Sequence, residues 1–159
     1  MSARFHTLRR EQWISLPIDE VFEFFSDARN LERITPPWLV FRILSMNSSS
    51  ISEGTEIRYR LRLHGIPIHW RTEILHWNYP YRFVDMQRAG PYKLWHHTHR
   101  FESHGDRTRM IDVVRYSLPF GPLGRIVHAS MVRADVQRVF DYRRRRIDEL
   151  FALRSSVAI

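Results

Sequence analysis

The chain lacks cysteine entirely, and Lys93 is the one lysine among its 25 basic residues. Without cysteine, the sequence excludes disulfide bonds, thiolate metal sites and a cysteine nucleophile. No run approaches the roughly 18 apolar residues that span a bilayer. Residues 1–6 also have no apolar signal core. These absences predict a cytoplasmic protein without a transmembrane segment.

Several catalytic and cofactor motifs are also absent. The sequence has no Gly-x-Ser-x-Gly elbow, no glycine loop of the kind that cradles phosphate and no dinucleotide fingerprint. We therefore expect no nucleotide cofactor, and the sequence predicts no other cofactor.

What is present indicates one folded domain. The 159 residues are 43% hydrophobic and 13% aromatic, which argues against disorder. A chain of this length buries about two-thirds of its unfolded surface and needs no metal to fold. The sequence predicts a single domain over residues 1–159, with its core at about 5–153.

The net charge of +8 is carried by arginines scattered along the chain. Arg58, Arg60 and Arg62 alternate with apolar residues, which places the three on one face of a strand. A solvated outer face is the expected role. We expect no specific nucleic-acid binding, only a weak, salt-sensitive attraction to anionic surfaces.

The first forty residues predict a strand followed by two short helices. A strand is expected over residues 5–15. Pro17 with Asp19 and Glu20 marks a helix start, since early acids oppose the positive end of the helix dipole. A second short helix over 30–34 must end at the Thr-Pro-Pro sequence of 35–37.

From residue 38 to residue 117 the apolar period is two. Ile57, Tyr59, Leu61 and Leu63 alternate with polar residues, and a turn at Gly65 leads into the next run. Further strands are expected at 68–75, 81–87, 92–102 and 108–117. The pattern indicates an antiparallel meander with one face toward water.

Beyond Gly124 the period becomes that of a helix, predicted over about 125–153 and roughly 40 Å long. Its apolar stripe comprises Val132, Val136, Val139, Phe140, Ile147, Leu150 and Phe151. Four arginines at 143–146 fan around the axis, so some of their stems must cover the sheet or the edge of a cavity.

This order of elements and four stretches of sequence resemble a known superfamily. The stretches are residues 16–22 (LPIDEVF), 30–38 (NLERITPPW), 90–101 (GPYKLWHHTHRF) and 113–119 (VVRYSLP). They resemble the START-like helix-grip superfamily (SRPBCC), in particular a polyketide cyclase/dehydrase-like bacterial single-domain subgroup. The resemblance implies an α+β helix-grip fold: a curved antiparallel β-sheet wrapped around a long C-terminal α-helix, with two short helices after the first strand. It also implies a deep cavity between the sheet and that helix.

Same-face residues supply walls for such a cavity. The predicted ligand-binding residues are Tyr59, Leu61, Leu63, Trp70, Thr72, Ile74, Asp85, Gln87, Trp95, Phe101, Met110, Val114, Tyr116, Val132, Val136 and Phe140. An ordinary packed core would use the same pattern.

The segment Trp95-His96-His97-Thr98-His99 is the most unusual in the chain. His97 and His99 share a strand face with Trp95, and Asp112 on the next strand has apolar neighbours. An inward Asp needs a partner, so we expect a bond to a buried histidine. The interpretation is either an acid–base set of His97, His99 and Asp112, or a polar network that fixes strand register. No metal is predicted, because no third His or Glu stands in an obvious ligand motif.

The sequence leaves three candidate functions open. A mainly apolar inner face favours binding or transport of a hydrophobic small molecule, such as a lipid or polyketide-like compound. An inward His/Asp set would suit a polyketide cyclase, aromatase or dehydratase that works without metal or nucleotide. The positive surface would suit an interaction module. Fold alone does not separate these classes, and the sequence favours a binder over an enzyme.

Overall fold

The computed structural model describes residues 5–119, 121–127 and 131–157. Seven strands form one antiparallel sheet, with β1 and β2 at its two edges and the order β1-β7-β6-β5-β4-β3-β2. The strands are β1 His6–Ile14, β2 Arg42–Met46, β3 Glu56–Leu63, β4 Ile66–Asn78, β5 Arg82–Ala89, β6 Leu94–His104 and β7 Arg107–Ser117. The helices are α1 Ile18–Ser26, α2 Ala28–Ile34, α3 Gly121–Val127 and α4 Arg133–Val157.

The helix-grip fold predicted from the sequence is confirmed. The curved sheet carries the long helix α4, and two short helices follow the first strand. Pro17 is the N-cap of α1 rather than its first helical residue, and α2 begins two residues earlier than predicted. None of the helices in the described part of the chain has both the length and the apolar character needed to cross a membrane.

The C-terminal helix differs from the prediction at its start. Helical structure begins with α3 at Gly121, earlier than the expected start near residue 125, and α4 covers Arg133–Val157; residues 128–130 lie outside the described part. Gly121 and Pro122 begin α3 rather than a loop, because proline is tolerated in the first turn, where its missing N–H has no partner to lose.

Irregularities in the strand pairing help the sheet to curve. The β2–β3 register shifts between Ile43 and Ser45, and the β4–β5 register shifts between Arg71 and Thr72 and again between Ile74 and His76. Such bulges bend a strand and increase its twist. The tight turn between β3 and β4 is His64-Gly65, both with positive φ, as a two-residue hairpin turn of this kind requires.

Phe22 on α1 is the centre of the main packed core. Its ring makes edge-to-face contacts with Trp77, Tyr79, Phe83 and Phe101 at centroid distances of 5.0, 5.1, 5.7 and 5.3 Å. Such aromatic pairs contribute about 0.5–1.5 kcal/mol each beyond area burial. This core fills the end of the fold where α1 meets the sheet.

Polar contacts fix α4 against its neighbours. On β1, the Gln12 Nε2 donates to Arg144 O at 2.9 Å and to Asp148 Oδ1 at 2.7 Å. Near the start of α4, the Nε2 of His64 lies 2.6 Å from Asp135 Oδ2, which ties the β3–β4 turn to the helix. The helix is thus attached to both sides of the space beneath it.

Candidate functional site

A cavity of about 210 Å³ lies between the sheet and α4. Its walls come from α1, α2, β3, β4, β5, β6 and α4, so no single element could form it alone. The predicted residues that line it are Tyr59, Leu61, Leu63, Trp70, Thr72, Ile74, Asp85, Trp95, His97, His99, Val136 and Phe140.

One wall of the cavity is a group of four aromatic rings on β3, β4, the β5–β6 connection and β6. Trp70 stacks on Tyr59 at 5.8 Å and meets Trp95 edge-on at 5.5 Å, and Tyr92 lies 4.7 Å from Trp95. The indole Nε1 of Trp70 is buried without a hydrogen-bond partner among the described residues. A buried donor left unpaired carries a cost, because it has lost its hydrogen bond to water.

A cluster of four ionisable side chains lies beneath α4. The antiparallel register sets Asp85 of β5 opposite His97 of β6, and His99 opposite Asp112 of β7. Period-two alternation turns both imidazoles inward, where they are almost completely buried. Their ring centroids lie 3.7 Å apart. We call Asp85, His97, His99 and Asp112 the His–Asp cluster.

Each imidazole of the cluster lies between two carboxylates. His97 Nε2 is 2.9 Å from Asp112 Oδ1, and its Nδ1 is 3.6 Å from Asp85 Oδ2. His99 Nε2 is 2.8 Å from Asp85 Oδ2. His99 Nδ1 approaches Asp112 Oδ1 to 3.0 Å, but the angle is wrong for a hydrogen bond, so this contact is one of charge proximity.

These contacts move the histidines' pKa values in opposite directions. Burial lowers the pKa of His97 and the nearby His99 lowers it further, outweighing the bond to Asp112. Burial also acts to lower the pKa of His99, but the contacts with Asp112 and Asp85 outweigh it, and that pKa is raised. His99 is therefore the imidazole that holds a proton more readily.

The carboxyl groups of the cluster stay ionised despite their burial. Burial raises the pKa of Asp85, but the hydrogen bond from His99 and the charges of His97, His99 and Arg143 lower it below its ordinary value. The same opposing effects act on Asp112, where the hydrogen bond from His97, the close approach of His99 and the charge of Arg143 lower the pKa well below normal. The cluster therefore presents two negative charges beside the two imidazoles.

Arg143 brings a permanent positive charge to the cavity wall. Its guanidinium lies over the rings of Phe25 and Phe140 at 5.7 and 5.8 Å, and its Nε is buried without a hydrogen-bond partner in the described part of the chain. Arginine is weakly hydrated compared with an ammonium and stacks on aromatic faces, which suits it to such a position. Of the four consecutive arginines in the sequence, this is the one that lines the cavity.

Several predicted ligand-binding residues lie outside the cavity wall. Phe101 and Met110 belong to the packed core around Phe22. Val114 and Tyr116 form a second packed group with Leu8, and Val132 packs against it. Asp112 contacts the histidines from the side away from the main cavity, bordering a much smaller space.

Gln87 also has a different role from the one predicted. Its Nε2 donates to Tyr92 O at 2.7 Å, and its Oε1 accepts from Tyr92 N at 3.2 Å. Gln87 thereby holds the β5–β6 connection and, through it, the ring of Tyr92 against the cavity. Gln87 lies two residues after Asp85, on the same face of β5 by alternation, but its side chain hydrogen-bonds to the main chain of the β5–β6 connection.

Sequence reasoning missed part of the wall. The additional lining residues include Phe24, Phe25, Ala28, Leu31, Ile34, Leu39, Phe41, Ile51, Ile57, Phe83, Tyr92, Val139 and Arg143. Ile57 and Val139 carry a signal, because they continue the apolar patterns of β3 and α4. For the lining residues on α1 and α2, the sequence contains no signal that distinguishes a residue lining the cavity from one that only packs a helix.

One donor atom from each of Asp85, His97 and His99 lies within 4.8 Å of the others, so these three could hold a metal ion. Chemically, the site offers an apolar chamber with aromatic walls and one ionisable wall. Such a chamber can enclose a mainly apolar molecule and fix its orientation through a few polar groups.

Comparison with known proteins identifies relatives of the whole fold. The family described as polyketide cyclase / dehydrase and lipid transport matches residues 14–141. No curated protein sequence matches the chain.

Solved structures share the fold at low sequence identity. The Zhui aromatase/cyclase from Streptomyces superposes with a TM-score of 0.71 at 15% identity, covering 91% of this chain and 92% of that one. Norcoclaurine synthase from Thalictrum gives a TM-score of 0.65 at 13% identity, covering 94% and 98%. Protein TTHA0849 from Thermus thermophilus gives 0.62 at 19% identity, covering 91% and 99%. At these identities the likeness extends to the fold alone.

Proposed function

Because the chain belongs to the polyketide cyclase/dehydrase and lipid transport family, we propose that it binds a hydrophobic small molecule, lipid or polyketide-like, between its sheet and α4. The observation that carries this proposal is the cavity of about 210 Å³ with its largely apolar and aromatic lining. A well-formed apolar pocket with a few convergent polar groups is the usual form of a small-molecule site.

The size of the cavity restricts the ligand. An apolar cavity of about 150 Å³ accepts benzene, and drug-sized ligands occupy about 300–1,000 Å³. A space of 210 Å³ lies between these sizes. We infer a ligand with one or two rings, or an acyl chain of moderate length, that places an acceptor near Arg143.

Binding can be followed through the tryptophans of the aromatic wall. Trp70 and Trp95 line the cavity, so a bound naphthol or a fatty acid carrying a fluorophore should quench their emission. Native mass spectrometry of protein purified from its expression host should also reveal a co-purified apolar molecule. A clean unliganded mass, together with no uptake of fatty acids or naphthols, would refute the proposal.

Two valines on α4 provide a matched pair of variants. Both are half-buried and both pack against the group around Leu8, but only Val139 lines the cavity, and Val132, seven residues earlier, does not. Val139→Phe should fill part of the chamber and weaken probe binding at least tenfold, while Val132→Phe should leave the affinity near that of the wild type. Equal effects of the two substitutions would mean that the probe binds elsewhere.

A cyclase or dehydratase activity is the second candidate. It is favoured by the position of His97 and His99 on the cavity wall, backed by Asp112, where a carbonyl or hydroxyl of a ligand could meet an acid–base group. A reactive poly-β-ketone mimic offered to the wild-type protein should then cyclise or lose water faster than in buffer.

Two conservative substitutions separate binding from turnover. His99→Gln and Asp112→Asn should abolish the rate enhancement on that ketone while the protein still binds the naphthol probe. If the wild type itself does not accelerate the reaction, the enzyme hypothesis has no support and the binding proposal stands alone.

A further inference from the structure

We propose that Asp85, His97 and His99 bind one divalent transition-metal ion at the wall of the cavity, with Asp112 orienting His97 from behind and lying close to His99. This proposal concerns the protein alone and does not depend on an apolar ligand. It reverses the expectation of no metal from the sequence, because β5 supplies a third ligand that the linear His-x-His pattern does not contain.

The spacing of the donor atoms fits an ion at their centre. Zinc binds histidine nitrogen at about 2.0–2.1 Å and carboxylate oxygen at about 2.0–2.2 Å, so two ligands of one ion lie roughly 3–3.5 Å apart. Asp85 Oδ2 lies 2.8 Å from His99 Nε2 and 3.6 Å from His97 Nδ1, on either side of that range. The third separation, between the two histidine donors, is within 4.8 Å, so the imidazoles would adjust around the ion to complete the site.

Asp112 supplies the independent observation. Its Oδ1 faces the ring nitrogens turned away from Asp85, at 2.9 Å from His97 Nε2 and 3.0 Å from His99 Nδ1. A carboxylate behind a metal-binding imidazole fixes the tautomer and makes the near nitrogen more basic. Asp112 acts in this way on His97 through a hydrogen bond, and it lies in charge contact with His99.

This arrangement leaves a place for a cation. Because His97 directs its Nε2–H toward Asp112, the lone pair of its Nδ1 faces the anionic oxygen of Asp85 at 3.6 Å. A lone pair and a carboxylate repel each other, so a positive charge between them is favourable. A proton on His99 meets that need in part, and a divalent ion coordinated by all three groups meets it fully.

The charge balance determines what else the ion would bind. Two carboxylates and Arg143 sum to one negative charge, so a divalent ion leaves one positive charge in a buried wall. That remaining charge favours an anionic fourth ligand from the cavity side, such as hydroxide or a carboxylate or enolate oxygen of a guest molecule. Three protein ligands with an open position is also the usual composition of a catalytic rather than a structural site.

The ligand set selects the class of metal. Two imidazoles and one carboxylate suit Zn²⁺, Co²⁺ and Fe²⁺, whereas Mg²⁺ and Ca²⁺ prefer oxygen ligands alone.

The test begins with tag-free protein stripped with a chelator and titrated with Co²⁺, whose visible absorption reports coordination directly. We expect one equivalent to bind with d–d bands, Zn²⁺ to displace it, and Mg²⁺ in large excess to leave the spectrum unchanged.

Variants assign the bands to the cluster. Asp85→Asn and His99→Gln keep the side-chain size and should each remove the tight Co²⁺ spectrum. Asp112→Asn should keep the one-to-one stoichiometry but weaken binding about 10–100-fold, as expected for a group behind the ligands. His76→Ala removes an exposed histidine on β4 and serves as the matched control, with an unchanged spectrum.

Folding of each variant is checked by circular dichroism before metal is added, and one folded variant at Asp85 or His99 is sufficient for the test. Thermal unfolding gives a second readout, since a bound ion should raise the melting temperature of the wild type and not of Asp85→Asn. Absence of Co²⁺ binding by the wild type, binding that survives in Asp85→Asn and His99→Gln, or loss of binding in His76→Ala would each overturn the proposal. Probe binding in chelator remains a separate measurement, so failure of the metal site and failure of the cavity proposal are distinguishable.

Discussion

At the scale of single residues, burial decides how much a paired carboxylate contributes to the free energy of unfolding. Asp112 is almost fully buried and lies against both histidines, whereas Asp141 on α4 is exposed and pairs with Arg10 at 3.2 Å. Removing one member of a buried pair leaves its partner in low dielectric without compensation. An exposed pair loses little, because water replaces the lost partner.

We therefore expect Asp112→Ala to lower the free energy of unfolding by about 3–5 kcal/mol, and Asp141→Ala by under about 1 kcal/mol. Urea denaturation of metal-free protein at neutral pH measures both. Similar losses for the two variants would show that Asp112 is neither buried nor paired as described.

The residue scale is also where sequence reasoning was strongest and where it failed. Alternation along β6 and β7 indicated that His97, His99 and Asp112 point inward, and the structure brings them into contact. Asp85 was expected near the cavity but not against the histidines, because only the β5–β6 register sets it opposite His97. Register depends on loop geometry and bulges, which a single sequence does not encode in its periodicity.

At the scale of elements, the β5–β6 connection depends on one side chain and one glycine. A Cβ placed on Gly90 would lie 2.5 Å from Gln87 Oε1, which is closer than real contacts allow. The Gln87 amide would have to release the main chain of Tyr92, giving up two hydrogen bonds.

Gly90→Ala should therefore cost about 1–3 kcal/mol in the wild-type background and clearly less in a Gln87→Ala background. A double-mutant cycle by chemical denaturation gives the coupling, expected at about 0.5–3 kcal/mol. Additive costs would mean that Gly90 is needed for a reason other than room for Gln87. The naphthol probe should also bind less tightly to Gly90→Ala, since Tyr92 lines the cavity.

Two leucines of equal burial compare a cavity wall with a filled core. Leu61 on β3 is 6% exposed and borders the cavity, and Leu150 on α4 is 7% exposed within the packed group around Phe22. A side chain beside a void lacks contact atoms on that side, so its removal forfeits less dispersion energy.

Leu150→Ala should cost about 3–5 kcal/mol, and Leu61→Ala at least about 1 kcal/mol less, in protein freed of bound apolar molecules. Equilibrium urea unfolding gives the comparison. If the Leu61 substitution is as costly as the Leu150 substitution, the chamber is filled by side chains and the small-molecule proposal fails with it.

At the scale of the whole molecule, the fold was readable because its elements carry distinct periods. Strict alternation along β3 and β4 and the apolar stripe of α4 each indicate one buried face, and burying both faces together yields a sheet wrapped on a helix. The start of α3 was not readable. The Gly-Pro-Leu-Gly sequence has the composition of a turn, yet residues 121–124 lie within α3.

The same alternation places a row of like charges on the outer surface of the molecule. Arg58, Arg60 and Arg62 are exposed on the face of β3 opposite the cavity, and in the β2–β3 pairing Arg42 lies opposite Arg60. Adjacent like charges raise the local potential beyond what the net charge of +8 alone would produce.

We expect the protein to bind vesicles containing anionic lipid at about 50 mM salt and to release them by about 200 mM, because the interacting charges are exposed and the Debye length shrinks with ionic strength. The triple variant Arg58→Gln, Arg60→Gln, Arg62→Gln should lose most of this binding. A control variant with glutamine at Arg82, Arg115 and Arg133, which are exposed on three different elements, removes the same charge and should retain more of the vesicle binding.

If both variants weaken sedimentation with vesicles equally, net charge rather than the row on β3 carries the attraction. Binding that persists at 200 mM salt would instead indicate insertion of apolar side chains, because that interaction is not screened.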